Sequence, residues 1–170
     1  CLWIYDLLLD YYDLDNRIKN LPLRGVKGTT GTQASFMKLF NEDEEKIKKL
    51  EKFVCQKMGF ENFVPVSGQT YTRKIDSHIA GVLSGIAQSA SKFANDMRLL
   101  MHLGELEEPL EKEQVGSSAM PYKRNPMRSE RINSLSRFVI NAELNMAHTQ
   151  STQWLERTLD DSAVKRIAMA

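Results

Sequence analysis

The sequence has little that would carry it across a membrane or attract nucleic acid as a whole. Its longest apolar runs, such as Leu7 to Leu9, are far too short to span a bilayer. Its 23 basic and 22 acidic residues leave a formal net charge of +1, so no global field favours a polyanion or a membrane surface. We therefore expect no membrane or nucleic-acid partner, and we expect any anion site to be local.

Cysteine is also scarce. Cys1 and Cys55 lie far apart in the sequence, without metal-ligand spacing or a disulfide framework. This usage favours a reducing compartment such as the cytoplasm, and it predicts no bound metal. Both cysteines are interpreted as inert, small hydrophobic residues.

The composition, 42% hydrophobic and 26% charged, is that of an ordinary soluble globular domain. We expect residues 1–170 to form one domain. The chain begins at Cys1 without an initiator methionine and stops at Ala170 inside a run that favours helix. These features predict a central piece of a longer protein.

Apolar residues that recur every three or four positions predict an all-α fold with irregular connecting loops. A plausible N-cap at Asn41, with Glu44 three residues later, starts one of the helices. Residues 22–33 have turn chemistry and predict an ordered loop, with a flexible linker as the alternative. The helices are predicted over about residues 2–19, from Asn41 to Gly59, over 72–103, over about 126–149, and from near Leu159 onward.

The helix predicted over residues 72–103 would be roughly 45 Å long. Its small residues, among them Gly81 and Gly85, would let neighbouring helices approach closely. Helices of this length usually bury their apolar faces against partners, and a chain of 170 residues offers few. We therefore expect a long-helix bundle formed between subunits. The inward positions of the helix over 126–149 are predicted to be Ile132, Leu135, Val139, Ala142 and Met146.

Residues 116–130, Gly-Ser-Ser-Ala-Met-Pro-Tyr-Lys-Arg-Asn-Pro-Met-Arg-Ser-Glu, are rich in groups that bind anions or take part in chemistry. The hydroxyls of Ser117 and Ser118 are followed by the donors of Lys123 and Asn125, which suit a carboxylate or a phosphate. Taken alone, these residues also allow a solvated basic loop or a nucleic-acid patch around Tyr122.

This stretch resembles the signature loop of the fumarase/aspartase superfamily, whose pattern is Gly-Ser-Ser, one residue, Met-Pro, one residue, Lys, one residue, Asn. Every fixed position is present. Within that superfamily, the continuation to Arg131 resembles the adenylosuccinate lyases, and so do residues 24–33, 68–74 and 154–162. The similarity covers nearly the whole chain.

The resemblance implies a long-helix bundle domain and a cytoplasmic homotetramer with active sites shared between subunits and no cofactor. It also implies a β-elimination in purine nucleotide biosynthesis, which releases fumarate from a small nucleotide, either adenylosuccinate or its imidazole-carboxamide counterpart. The alternatives are another fumarate-releasing lyase of the superfamily, acting on argininosuccinate or malate, or a non-catalytic assembly domain. The isolated chain is expected to be inactive.

The resemblance also assigns roles by position. Ser117 matches the catalytic base, Lys123 stabilises the doubly charged intermediate, and Glu130 orients a general-acid histidine that we expect to precede Cys1. The positions that bind substrate are matched by Gln69, Asn125, Arg131, Arg157, Ser162 and Arg166. The histidines present, His78, His102 and His148, are interpreted as surface or packing residues.

Overall fold

The computed structural model describes residues 1–109, 118–120 and 122–152. Within these residues the fold is helical, and the one β-type feature is an isolated parallel bridge between Leu23 and Phe63. The all-α prediction is confirmed, while the helix expected near Leu159 lies outside the described residues. The helices are α1 (Leu2–Lys19), α2 (Ala34–Leu39), α3 (Glu44–Lys57), α4 (Lys74–His102) and α5 (Met127–Thr152).

Helix α4 packs against both of the other long helices, α1 and α5. The indole N–H of Trp3, near the start of α1, donates to Asp96 near the end of α4 at 2.6 Å. One turn further along α1, Asp6 pairs with Lys92 at 2.6 Å. Because later residues of α1 meet earlier residues of α4, the two helices run antiparallel.

Helix α5 returns along α4 in the opposite direction. The Ser91 hydroxyl donates to the side-chain oxygen of Asn133, and the Asn133 amide donates to Asn95, both at 2.9 Å. The first half of α4 instead meets the second half of α5 around a small apolar cavity of about 130 Å³. The start of α5 therefore lies beside the end of α4.

The small residues of α4 face its neighbours, as the sequence predicts. A Cβ atom built on Gly81 would lie 3.7 Å from the Glu143 carboxylate of α5. One built on Gly85 would lie 3.5 Å from the Asp10 carboxylate of α1. These are ordinary van der Waals distances, so the helices are close at both glycines but would still accommodate alanine.

The predicted inward face of α5 is only partly confirmed. Met146 is buried, and Ile132, Val139 and Ala142 are half-buried. Leu135 is 60% exposed, so its inward placement is wrong. The buried stripe passes through small polar residues such as Ser136, which hydrophobic periodicity does not reveal.

The start of α3 also differs from prediction. The side chain of Asp43 accepts a hydrogen bond from the Lys46 N–H at 3.1 Å, so Asp43 rather than Asn41 is the N-cap. Asn41 and Glu42 adopt left-handed backbone conformations, with φ of 54° and 64°. Both Asn and Asp suit a cap, but Asn41 is used instead to turn the chain after α2, a short helix that the sequence did not predict.

Residues 22–33 form an ordered loop fixed by buried polar contacts. The Lys27 ammonium lies 2.6 Å from the Glu51 carboxylate of α3, and these side chains are only 3% and 7% exposed. Lys27 also donates to the Val64 carbonyl at 2.8 Å. Removing one partner of such a buried pair costs about 3–5 kcal/mol, because the other charge is left uncompensated. The ordered-loop prediction is confirmed, and the flexible-linker alternative is excluded.

We predict that Gly31→Ala destabilises the protein more than Gly59→Ala does. Both glycines have positive φ, 84° and 77°, so both substitutions carry a backbone cost of about 1–2 kcal/mol. A Cβ on Gly31 would also lie 1.8 Å from the Ser67 carbonyl oxygen, whereas one on Gly59 meets nothing within 4 Å. Overpacking should bring the total loss at Gly31 to about 2–5 kcal/mol. Urea denaturation measures the free energy of unfolding, and equal losses would contradict the close contact.

Candidate active site

The first turn of α5 and the loop before it hold four of the predicted site residues. The Lys123 N–H donates to the Met120 carbonyl at 2.9 Å, which turns the chain ahead of the helix. The Glu130 N–H donates to the Pro126 carbonyl at 2.9 Å, so the helical bonds begin there. Lys123, Glu130 and Arg131 are exposed, while Asn125 is half-buried. These side chains are therefore grouped at one end of the α4–α5 pair.

Glu108 caps the same helix from outside it. Its carboxylate accepts hydrogen bonds from the N–H groups of Arg128 at 3.0 Å and Ser129 at 2.9 Å. It also accepts from the Ser129 hydroxyl at 2.5 Å. These bonds satisfy two of the N–H groups that every helix leaves free at its start. The segment that ends at residue 109 is thus tied to the first turn of α5.

The hydrogen bonds at Glu108 favour its charged form. Burial opposes ionisation and is the largest single influence, but the Ser129 hydroxyl and the N–H groups of Arg128 and Ser129 together outweigh it and lower the pKa of Glu108. A helix N-terminus attracts anions, and Glu108 already occupies this one. These two amides are therefore not available to a further anion.

An open groove of about 540 Å³ lies between the end of α4 and the start of α5. Two arginines, Arg98 and Arg124, contribute to its wall and give it a local positive charge in a nearly neutral chain. The groove is lined by Asn95, Arg98, Leu99, Met101, His102, Arg124 and Pro126.

Gln69 lies at the opposite end of α4. It is exposed on the turn formed by residues 67–70, five residues before the helix begins at Lys74. Since α4 has 29 residues, its ends are about 43 Å apart at 1.5 Å per residue. Within one chain, the structure therefore does not bring Gln69 together with Lys123 and Asn125.

Buried polar contacts join the Gln69 turn to α4. The Tyr71 hydroxyl donates to the Asp76 carboxylate at 2.9 Å. The guanidinium of Arg73 lies 3.5 Å from the other oxygen of Asp76 and 4.9 Å from the centre of the Tyr71 ring. Arg73 and Asp76 are buried, so the backbone that leads from Gln69 into the helix is held in one arrangement.

The other predicted site residues, Ser117, Arg157, Ser162 and Arg166, lie outside the described residues. All three histidines are exposed. Partial loss of hydration, together with the nearby Arg17 and Lys74, lowers the pKa of His78, which favours its neutral form. Within residues 1–109, 118–120 and 122–152, no group of His, Cys, Asp and Glu side chains could hold a metal ion. No helix of this part is long and apolar enough to cross a membrane.

The sequence reasoning missed Glu108. A local capping box places its acidic residue three positions after the cap, whereas Glu108 precedes the helix by about twenty residues. Its one sequence signal is its acidic character, which it shares with its neighbours Glu105 and Glu107. Only the fold distinguishes the three.

Residues 17–141 match the profile of a protein family described as lyase. The match covers most of the chain, and the chain belongs to this lyase family.

Three curated relatives are adenylosuccinate lyases. The chain is 52% identical to the enzyme of Schistosoma mansoni over 171 residues, which is 99% of the chain and 35% of that enzyme. It is 51% identical to the enzyme of Saccharomyces cerevisiae over 168 residues, again 99% of the chain and 35% of the relative. It is 52% identical to the enzyme of Schizosaccharomyces pombe over 165 residues, 97% of the chain and 34% of the relative. The predicted resemblance is confirmed, and the chain spans about a third of the length of these relatives.

We predict that Glu108→Gln removes a pH-dependent part of the stability. At neutral pH the free energy of unfolding should fall by about 1 kcal/mol, the usual value of a helix cap. A carboxyl group whose folded-state pKa is lowered stabilises above its unfolded pKa, and this contribution disappears as pH falls through the folded pKa. The difference between wild type and variant should therefore vanish in acid.

Glu107→Gln is the matched control, because Glu107 is exposed and adjacent. It should have little effect at any pH. Urea denaturation at several pH values gives both curves. A Glu108→Gln defect that is equally large in acid would contradict the capping role.

Proposed function

We propose that the whole protein is an adenylosuccinate lyase, which releases fumarate from adenylosuccinate and from its imidazole-carboxamide counterpart by β-elimination. The observation that carries this proposal is that every fixed position of the superfamily signature is present in residues 116–130. The high identity to three enzymes named adenylosuccinate lyase, over nearly the whole chain, supports the choice within the superfamily.

In this proposal, Ser117 removes the proton next to a carboxylate of the succinyl group. A serine hydroxyl is a poor base unless its alkoxide is stabilised, so the base needs donors close by. Lys123 and Asn125 hold the succinyl carboxylates and stabilise the doubly charged intermediate. The exposed position of Lys123 at the start of α5 leaves its ammonium accessible to a ligand. Glu130 orients a general-acid histidine that comes from outside this chain's sequence.

The nucleotide part of the substrate is assigned to Arg131, Arg157, Ser162 and Arg166. Guanidinium groups bind phosphate through two parallel, charge-assisted hydrogen bonds, and a serine adds a single hydroxyl. Arg131 is exposed near the start of α5, the helix that follows Lys123 and Asn125 of the succinyl part.

A homotetramer with shared active sites accounts for two features of the single chain. First, Gln69 and Lys123 lie at opposite ends of α4, so one site can use both only if they come from different copies. Second, α1 has no buried residue, and Leu2 and Ile4 are 74% and 71% exposed. Burying each such side chain against a second copy would contribute about 1.5–3 kcal/mol. We place this assembly in the cytoplasm, where its free cysteines would remain reduced.

The direct test is turnover by the full-length protein. We expect fumarate release from adenylosuccinate and no turnover of argininosuccinate or malate. The change in absorbance measures each reaction.

Ser117→Ala should lower kcat by about 10²–10⁴-fold, the usual contribution of a general base. It should leave substrate affinity, measured by calorimetric titration, largely intact.

Ser118→Ala is the matched control, since it removes the neighbouring hydroxyl and should have a milder effect. Small and equal effects of the two substitutions would remove Ser117 from the role of base. Preferred turnover of argininosuccinate or malate would replace the proposed substrate by another of the superfamily.

Shared sites predict complementation between two impaired variants. Gln69→Ala and Lys123→Ala alter residues near opposite ends of α4, so each homotetramer should lose most of its activity at substrate concentrations below the wild-type KM. When the two are co-expressed, sites that combine intact copies of both residues should recover, giving about a quarter of the wild-type rate for random mixing in a symmetric oligomer. A mixture no more active than its parents would mean that both residues reach each site from the same subunit.

A further inference from the structure

Residues 24–33 are distinctive in sequence, yet no step of the proposed reaction uses them. Arg24 begins this segment, and its guanidinium bonds to backbone carbonyls. It donates to the carbonyl of Gly68 at 2.9 Å, to that of Gly28 at 3.0 Å and to that of Lys27 at 3.3 Å. The contact with Gly68 spans 44 residues of sequence and reaches the turn that carries Gln69.

The Gly68 carbonyl belongs to the peptide bond that joins Gly68 to Gln69. A peptide bond is planar, so the Gly68 oxygen lies in the same plane as the nitrogen and Cα of Gln69. Fixing that oxygen therefore fixes the nitrogen and the Cα atom of Gln69, from which the side chain departs. The Gln69 side chain itself is exposed and available to a ligand.

Other contacts fix the same turn internally and hold it against residues 24–33. The Ser67 hydroxyl lies 3.0 Å from the Gly68 carbonyl and 3.1 Å from the Thr70 carbonyl. Gly31 approaches Ser67 and Gly68 so closely that no side chain fits between them. The loop that provides Arg24 is itself anchored by the buried Lys27–Glu51 pair, so the guanidinium is presented from a rigid support.

The buried position of the Arg24 guanidinium leaves one of its donors without a hydrogen bond to the described residues, which packing alone does not explain. Arg24 is half-buried, and its Nε atom has no hydrogen-bond partner within the described residues. A buried donor without a partner is unfavourable. The residue nevertheless directs a guanidinium nitrogen at the carbonyl beside Gln69.

We propose that Arg24 is a positioning residue, which acts through the Gly68 carbonyl to hold Gln69 in its substrate-binding orientation. The inference rests on the proposed function, in which Gln69 contacts the substrate. Arg24 does not contact the substrate itself in this account; it sets the geometry of the residue that does.

A double-mutant cycle in the full-length enzyme tests the coupling, with KM and kcat for adenylosuccinate measured for wild type, Arg24→Gln, Gln69→Ala and the double variant. Gln69→Ala should raise KM about tenfold to a hundredfold, the value of a hydrogen bond to a charged group. Arg24→Gln should raise KM about tenfold with a smaller change in kcat. In the Gln69→Ala background it should have almost no further effect, because the residue it positions is absent. Arg24→Lys, which keeps the charge and can reach one carbonyl, should restore part of the affinity.

The matched structural control is Glu51→Gln, which weakens the same loop through Lys27 rather than through Gly68. It should lower the melting temperature, and any change in KM should be the same with and without Gln69. If Arg24→Gln behaves in this additive way, the positioning role is overturned.

Two further outcomes are distinguishable. If Gln69→Ala leaves KM unchanged in an active enzyme, the role of Gln69 and the positioning by Arg24 are both overturned. If the wild type does not turn over adenylosuccinate, the proposed function fails and this inference fails with it.

Should Arg24→Gln not fold, Ser67→Ala replaces it in the cycle, since it loosens the same turn by removing one hydroxyl. Its KM effect should likewise disappear when Gln69 is absent, and an additive effect would overturn the role.

Discussion

The length of α4 governs the rest of this structure. A helix of 29 residues without proline is a straight support about 43 Å long, and both α1 and α5 are aligned along it. Because α5 runs antiparallel to α4, the loop before α5 is placed beside the end of α4. The turn before α4 is then necessarily at the far end. The residues assigned to the proposed site, Gln69 at one end and Lys123 and Asn125 at the other, are thus separated by the length of α4.

Buried and partly buried polar contacts fix the loops at both ends of this support. At one end, the Lys27–Glu51 pair and the Arg24 guanidinium hold residues 22–33 against the turn of residues 67–70. At the other end, the Glu108 carboxylate satisfies the first amides of α5. Such contacts are costly to leave half-made in a low-dielectric interior, so each favours a single loop geometry. Helices set the spacing of the candidate site, and these polar contacts set the orientation of its loops.

The long helices leave much of their apolar surface exposed in the single chain. Among the described residues, the buried hydrophobic side chains are few and mostly small, such as Cys55, Ala87 and Ala94, whereas α1 exposes leucine, isoleucine and tyrosine along its length. A single chain gains little from its own core under these conditions. The proposed tetramer would supply the missing burial and would bring the two ends of α4 from different copies into one site.

Local sequence patterns were enough to predict the long helices and the chemical character of the signature stretch. Helical periodicity and the absence of proline are local properties, so the prediction of α1 was correct at both ends, and those of α4 and α5 were within a few residues. The pattern of residues 116–130 is equally local, and it was sufficient to identify the family. Tertiary structure alone decided that Asp43 caps α3 while Asn41 turns the chain, and that Leu135 faces outward. It also decided which of several glutamates caps α5 and which carbonyl Arg24 reaches. These last choices depend on contacts between residues some 20 to 44 positions apart, and such contacts form only after the helices have packed.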